Sequence, residues 1–264
     1  MGRRTKRSLI ISDLHCGHLT GLTPSDYWWG ESDLPCQQKV REFQEWSWNK
    51  YMGLIEKYRP YSNMLVNGDM IDGKGAKSGG TEQLTADRDK QSDMAVACIK
   101  AARIPKIVMT YGTPYHTGMG EDFEARVARQ CKAQIHSHAW IDINGVMISM
   151  KHKVGGSQLP HGKATPILRE MVLNDSWCRD YPEHPLAQIF IRSHTHCCVE
   201  APTKGSLGIV TPALQGLGSK YGARQCSGVV HWGIVVLDIT PAGSWKWKVE
   251  RVSLENQAPN VVKL

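Results

Sequence analysis

The sequence predicts an α/β protein of one domain, with mixed β-sheets packed together and helices outside. Three observations carry this. Apolar strand-like runs alternate with helical stretches through the first half, the signature of βαβ units. The second half turns to hairpins and mostly antiparallel strands. No internal repeat, low-complexity tract or linker divides the 264 residues, a length that supports a well-buried core.

The first strand, Leu9-Ile10-Ile11, drops into Asp13, His15, Cys16 and His18. Residues i and i+2 of an extended chain face the same way, so Asp13 and His15 can converge at the strand end. A carboxylate and an imidazole meeting at one point are common ligands of a divalent metal. Taken alone, the pair reads as an N-cap Asp and a surface His, so the rest of the chain must supply the other ligands.

A loop rich in Gly, Pro and aromatics follows. The spacing of Val40, Phe43, Tyr51, Leu54, Ile55 and Tyr58 then predicts a helix over 37–59, stopped by Pro60. "NMLVNGD" reads as a second buried strand ending at Asp69, with Gly68 permitting a sharp turn. After the basic loop "GKGAKSGGT" comes a helix over 84–103, closed before Pro105. "KIVMTYG" is a third strand whose end, "YGTPYHTG", presents Thr113 and His116. A helix over 121–133 opens with Glu121 and Asp122, which suit its N-terminal dipole.

"WIDINGVMISMKH" reads as a hairpin turning at Asn144-Gly145, and its second strand ends at His152. After a helix near 165–173, "AQIFIRSHTH" is another apolar strand and ends in His194 and His196, again two apart. "LGIVTPAL", "GVVHWGIVVLDIT" and "SWKWKVERVSL" supply the remaining strands. Five strands thus end in metal-capable groups. Ligand sites of open α/β sheets lie at the carboxyl ends of strands, so these groups can share one crevice. A lone His is usually a satisfied core or surface residue. Four histidines and two aspartates, all at strand ends, read as one metal site.

The order D-x-H, G-D-x-x-D, a Gly-containing turn with His, a lone His and a G-H-x-H-like pair resembles the calcineurin-like metallophosphoesterases. The likeness runs from residue 8 to about 240, and "GTPYHTG" and "RSHTH" look like phosphoesterases carried by bacteriophages and prophages. It implies a metallophosphoesterase-like sandwich of two mixed β-sheets flanked by helices. It also implies two metal ions bridged by Asp69, one held by Asp13, His15, Asp69 and His196, the other by Asp69, His152 and His194. Asp72 matches the second Asp of G-D-x-x-D, a supporting residue of the catalytic centre. Ser193 replaces the Gly before the His pair. Thr113 stands where the family has an Asn ligand, and His116 lies two residues late, so either Thr113 or His116 completes the second ion's shell.

Two divalent ions about 3.5–4 Å apart can hold a hydroxide between them and clamp a phosphoryl group. No G-x-S-x-G or P-loop argues for a protein nucleophile. His116 is either the proton donor to the leaving group or a surface loop His. Mn²⁺ is the expected metal, with Zn²⁺, Fe²⁺, Ni²⁺ and Mg²⁺ as alternatives.

A net charge of +7 and a pI near 9.0 favour polyanionic partners. Trp28 and Trp29, beside Tyr27, either stack bases or pack their loop onto the domain. Lys74, Lys77, Lys220 and Arg224 sit in Gly-rich basic loops that suit a nucleic acid or nucleotide, scattered solvated cations being the plainer reading. The expectation is a phosphodiesterase or nuclease. Alternatives are a phosphomonoesterase acting on a protein or small molecule, and a nucleic-acid-binding scaffold with a degenerate metal site. The eight cysteines form no C-x-x-C pair and read as reduced thiols, mostly buried. No apolar run approaches the roughly 18 residues of a membrane span, and no signal-peptide apolar region follows "MGRRTKRS". A cytoplasmic protein is expected, in the host cytoplasm if phage-encoded.

Overall fold

The structure, a computed structural model, describes residues 4–117, 122–157, 159–217 and 229–254. The first half runs β1 (Lys6–Ile11), α1 (Pro35–Tyr58), β2 (Asn63–Asn67), α2 (Arg88–Ala101), β3 (Ile107–Thr110), the single turn α3 (Pro114–Thr117), α4 (Phe123–Gln130) and β4 (Gln134–His136). The second runs β5 (Ala139–Ile143), β6 (Val146–Lys153), α5 (Thr165–Asp180), β7 (Ile189–Ser193), β8 (Val199–Pro202), β9 (Leu207–Val210), β10 (Trp232–Ile239) and β11 (Trp245–Val252).

Two mixed sheets flanked by helices result. The six-stranded sheet has the order β11-β10-β1-β2-β3-β4 and the five-stranded sheet the order β5-β6-β7-β9-β8. In the first, β1 to β4 are parallel and β10 and β11 antiparallel. In the second, β6, β7 and β9 are parallel between antiparallel edges.

The pleat sorts side chains into layers, because successive residues of a strand face opposite ways. Leu9 and Ile11 of β1, Met64 and Val66 of β2, and Ile234 and Val236 of β10 face outward onto helices, with Tyr51, Ile55, Met94 and Ile99. Ile10, Leu65, Val235 and Leu237 face inward against Ile148, Met150, Ile189 and Ile209 of the second sheet. Phe190 and Val210 emerge on that sheet's far side beneath Ile167 and Met171 of α5. The molecule is therefore helix, sheet, sheet, helix. The parallel strands β1, β2 and β3 and their counterparts β6 and β7 end along one edge of this stack.

Several boundaries differ from those the sequence predicts. Helix α2 begins at Arg88 because Asp87 caps it, its carboxylate accepting the N–H groups of Asp89 and Lys90. Helix α4 spans only Phe123–Gln130, capped by Asp122 onto the Ala125 N–H, and Glu121 lies outside the described residues. Helix α5 runs on to Asp180. Its last two turns carry exposed Trp177 and lack the apolar period that marks a buried face. The edge strands β4 and β8 are three and four residues long and offer little alternation to read. Among the described residues the cysteines are free, and no helix is long and apolar enough to cross a membrane.

Candidate metal centre

Strand ends deliver the site, but not through the pleat. Strands β1 and β7 stop at Ile11 and Ser193, and the candidate ligands beyond them turn into the left-handed region. Asp13, His15, Asp69, His194 and His196 are five of the eight non-glycine residues with positive φ among the described residues. The convergence of Asp13 with His15, and of His194 with His196, is thus produced by turns rather than by an extended chain. Such backbone costs about 1–3 kcal/mol per residue and persists only where surroundings over-determine it. Here they do. Asp13 N–H donates to the Gly68 carbonyl (3.1 Å) and His15 N–H to that of Asp69 (3.0 Å), while the His196 carbonyl accepts from His231 N–H (2.9 Å).

Two glycines let the loops close up. Gly68, at φ +74°, lies so near His152 that a Cβ would stand 2.6 Å from its Nδ1. A Cβ on Gly112 would overlap Asp69 Oδ1.

Among the described residues, three groups of potential donor atoms each lie within 4.8 Å: Asp13, His15 and His196; His15, Asp69 and His116; and Asp69, His152 and His194. The third holds the residues expected around the second ion; the first holds Asp13, His15 and His196 of the other expected set but not Asp69, which groups with His15 and His116. Of the two candidates for completing the second ion's shell, His116 falls with His15 and Asp69, not with His152 and His194. It forms an edge contact with the His15 ring, centroids 4.6 Å apart.

Second partners fix how these rings point. His152 Nδ1 donates to the Asn67 carbonyl (2.6 Å), which leaves Nε2 facing Asp69 Oδ2 at 2.9 Å and Asp13 Oδ1 at 3.8 Å. His15 Nδ1 sits 3.2 Å from Asp72 Oδ1, and His116 Nδ1 donates to the Asp72 carbonyl (2.6 Å). Asp72 therefore positions two imidazoles and is itself held by Gln83 Nε2 at 3.2 Å. This arrangement of an imidazole with one nitrogen donated away and the other free is the usual brace of a metal-binding His. Thr113, expected as a ligand, is occupied otherwise: its N–H (2.6 Å) and hydroxyl (3.2 Å) both donate to Asp69 Oδ1. A neutral hydroxyl beside a carboxylate settles there as a donor.

The residues fit divalent cations. Asp13 Oδ1 and His152 Nε2 are buried without a hydrogen-bond partner, a costly state unless something else satisfies them. His15 Nε2 and His196 Nε2 face each other at 3.2 Å, and His196 Nε2 stands 3.2 Å from Asp13 Oδ1. With metal–ligand bonds of about 2.0–2.2 Å, ligands of one ion stand roughly 3–4 Å apart. The electrostatics agree. Burial disfavours ionised Asp13, yet the imidazoles of His196 and His152 prevail and hold its carboxyl at about 2. Burial likewise opposes ionisation of Asp69, and His152 holds it well below the usual carboxylate range. Burial lowers His15 to about 4, with His116 adding to the effect. Burial also disfavours a charged His152, but Asp69 and Asp13 lift it to about 10. A field that forces a proton onto a buried imidazole is one that attracts cations.

Sequence reasoning missed Glu124. It is fully buried in α4, with Oε1 accepting Met70 N–H and Oε2 accepting Gly112 N–H, both at 2.7 Å. One carboxylate thus ties together the loops on either side of Asp69. Burial and the charge of Asp69 push it up to about 8. Asn67 was missed too; besides orienting His152 through its carbonyl, it donates from Nδ2 to Ser193 Oγ (2.6 Å).

Of the expected substrate contacts, Trp28, Trp29, Lys74 and Lys77 fall among the described residues. Trp28 donates its indole N–H to the Thr23 carbonyl (3.1 Å), and Trp29 N–H donates to Gln44 of α1 (2.7 Å), so this loop is pinned to the domain. Among the described residues neither ring contacts a cluster imidazole. Lys74 is exposed, next to Gly73, whose backbone packs against His116. Lys77 lies in the short turn Ala76–Ser78 that follows. Lys220 and Arg224 lie outside the described residues. Instead, a cavity of about 750 Å³ opens beside His152, lined by Tyr111, Lys151 and Lys153 among others, but not by Trp28, Trp29 or Lys74.

No protein-family model matches the sequence, and no curated protein matches it. Solved structures do. An archaeal phosphodiesterase is 14% identical, over 92% of this chain and 99% of that one, with a TM-score of 0.44. Vps29 from Entamoeba histolytica in complex with Zn²⁺ is 15% identical, over 93% and 98%, at 0.43. A Streptococcus pneumoniae protein described as a predicted phosphoesterase is 9% identical, over 94% and 100%, at 0.38. At such scores and identities these likenesses decide nothing about chemistry, which rests on the geometry of the centre.

Proposed function

We propose that this protein is a metal-dependent phosphoesterase that hydrolyses phosphodiester bonds in a nucleic acid or nucleotide, with two divalent cations as cofactors. One observation supports it above the others: buried Asp13 Oδ1 and His152 Nε2 have no hydrogen-bond partner and face other groups of the cluster, His196 and Asp69, while Asp69 stands with His15 and His116 in one donor group and with His152 and His194 in another. Asp13, His15, Asp69 and His196 would hold one cation, and Asp69, His152 and His194 the other. Bound there, divalent cations lower the pKa of water and neutralise charge on phosphoryl oxygens.

The chain supplies orientation. Asp72 and the Asn67 carbonyl keep His15 and His152 presenting Nε2. Glu124 and Thr113 set the Asp69 carboxylate between the two groups. His116, with Nδ1 donated to a carbonyl, exchanges protons through Nε2 and so suits protonation of the leaving oxygen.

Turnover of a chromogenic diester and of the corresponding monoester, with Mn²⁺ added to chelator-treated protein, tests this. Metal-dependent turnover favouring the diester is expected. A preference for the monoester would install the phosphomonoesterase alternative, and Mn²⁺ binding without turnover of either would leave a binding protein.

A further inference from the structure

The cavity beside His152 borders the centre, sharing that one candidate ligand with it. Tyr111, just past β3, forms one wall; Lys151 and Lys153 of β6 flank His152; Asp122 and Glu170 come from the starts of α4 and α5. Its volume, about 750 Å³, falls within the range of small-molecule sites, about 300–1,000 Å³.

Its charges are unevenly matched. Glu170 Oε1 pairs with Lys151 Nζ (3.1 Å), and its Oε2 accepts from Nε of buried Arg192 (2.6 Å). That single carboxylate is shared by two cations. Asp122 caps α4 by accepting Ala125 N–H at 2.8 Å, so the helix dipole compensates its charge. Lys153 has no acidic partner among the described residues and is exposed at the rim. The two lysines and two carboxylates of the lining thus leave Lys153 as the cation without an acidic partner among the described residues, on a wall shared with an aromatic ring.

We infer that this cavity is a binding subsite for one nucleotide, with Lys153 and Lys151 receiving a phosphate that is not cleaved and Tyr111 lying against the base or sugar. The inference deepens the phosphodiesterase reading. A substrate held beside His152 has the cavity as its neighbour, since His152 also lines it, and a diester has a second limb to put there, whereas a small monoester has none. A phosphate in a cationic recess and a ring face against an aromatic side chain are the two elements of single-strand recognition.

Adenosine 5′-monophosphate, ribose 5-phosphate and adenosine, titrated calorimetrically into chelator-treated protein, test the subsite without metal or turnover. The full nucleotide is expected to bind at least about tenfold more tightly than either fragment, because phosphate and ring contacts are both needed. Lys153→Glu should weaken it by about tenfold or more, the scale of one charge-assisted contact. Tyr111→Ala should weaken the nucleotide while leaving ribose 5-phosphate unchanged. Thermal melts of each variant separate loss of the subsite from loss of the fold. Equal affinities for nucleotide and ribose 5-phosphate would overturn the assignment. So would indifference to Lys153→Glu in a folded protein, or nucleotide binding only when Mn²⁺ is present. If diester turnover fails while the nucleotide still binds in chelator, the catalytic reading falls and the subsite stands.

Discussion

Asp13, His15 and His196 on one side of Asp69, and His152 and His194 on the other, are anchored differently. The first group is enclosed: Asp13 and His15 are buried, the side chain of His196 is 14% exposed, and Asp72 braces His15. In the second, His152 is buried and braced by Asn67, but the side chain of His194 is 37% exposed and its Nδ1 stands 3.8 Å from Asp69 Oδ2. Thr113, placed in the turn where a further donor was expected, spends its hydroxyl on Asp69. On the proposed reading, in which Asp69 serves two cations, the difference makes the two sites unequal. The enclosed set should bind its ion tightly, the open set weakly and exchangeably.

The change expected to matter most is Asp69→Asn, which strikes both sides. A neutral amide cannot replace a carboxylate shared by two cations, and the several kcal/mol at stake correspond to about a thousandfold or more in turnover. Circular dichroism should show an intact fold; near-normal activity in that folded variant would break the comparison at its centre. His194→Ala is sharper, since it touches the open side alone. Mn²⁺ stoichiometry is expected to fall from two to one with the tight site retained, and loss of the tight ion instead would mean the sides have been assigned the wrong way round.

Glu124→Gln should weaken both sites by about 10–100-fold in affinity, the usual scale for residues that orient ligands. A Gln side chain has one acceptor oxygen where Glu124 uses two. The same residue has a pH signature in metal-free protein. Its folded pKa, about 8, lies above the ordinary 4.5, so its contribution to stability is complete below about 4.5 and is lost as pH rises through about 8. Melting temperatures across that window should decline less in Glu124→Gln than in the unaltered chain. The smallest expected effect is that of Thr113→Val, which removes one hydroxyl hydrogen bond. About 0.5–1.5 kcal/mol, a few-fold in affinity, is the scale, and a loss as large as that of His194→Ala would make Thr113 a ligand after all.

Much of this centre was legible because its ligands are polar residues set abruptly after apolar strands. "SLIISDLH", "MLVNGD", "SMKH" and "IFIRSHTH" each carry that break, and the structure gathers all four. What was not legible depends on contacts distant in sequence. Glu124 looks like any acid in the first turn of a helix, and only the arrival of Met70 and Gly112 makes it a clamp. The left-handed turns at Asp13 and His194 have no local signature comparable to glycine. The Lys151-His152-Lys153 run was readable as a ligand between two cations, yet the cavity it borders needs α5 and Asp122 to exist. For Trp28 and Trp29 the sequence left two readings, stacking on bases or packing their loop onto the domain, and here a backbone carbonyl and Gln44 secure that loop to the domain.

Anomalous scattering from crystals soaked in graded Mn²⁺ tests the unequal pair most directly. Two peaks flanking Asp69 are expected, the one among Asp13, His15 and His196 filling at low Mn²⁺ and the one beside His152 and His194 only at higher concentration. Two peaks that fill together, or a single peak at any concentration, would contradict it.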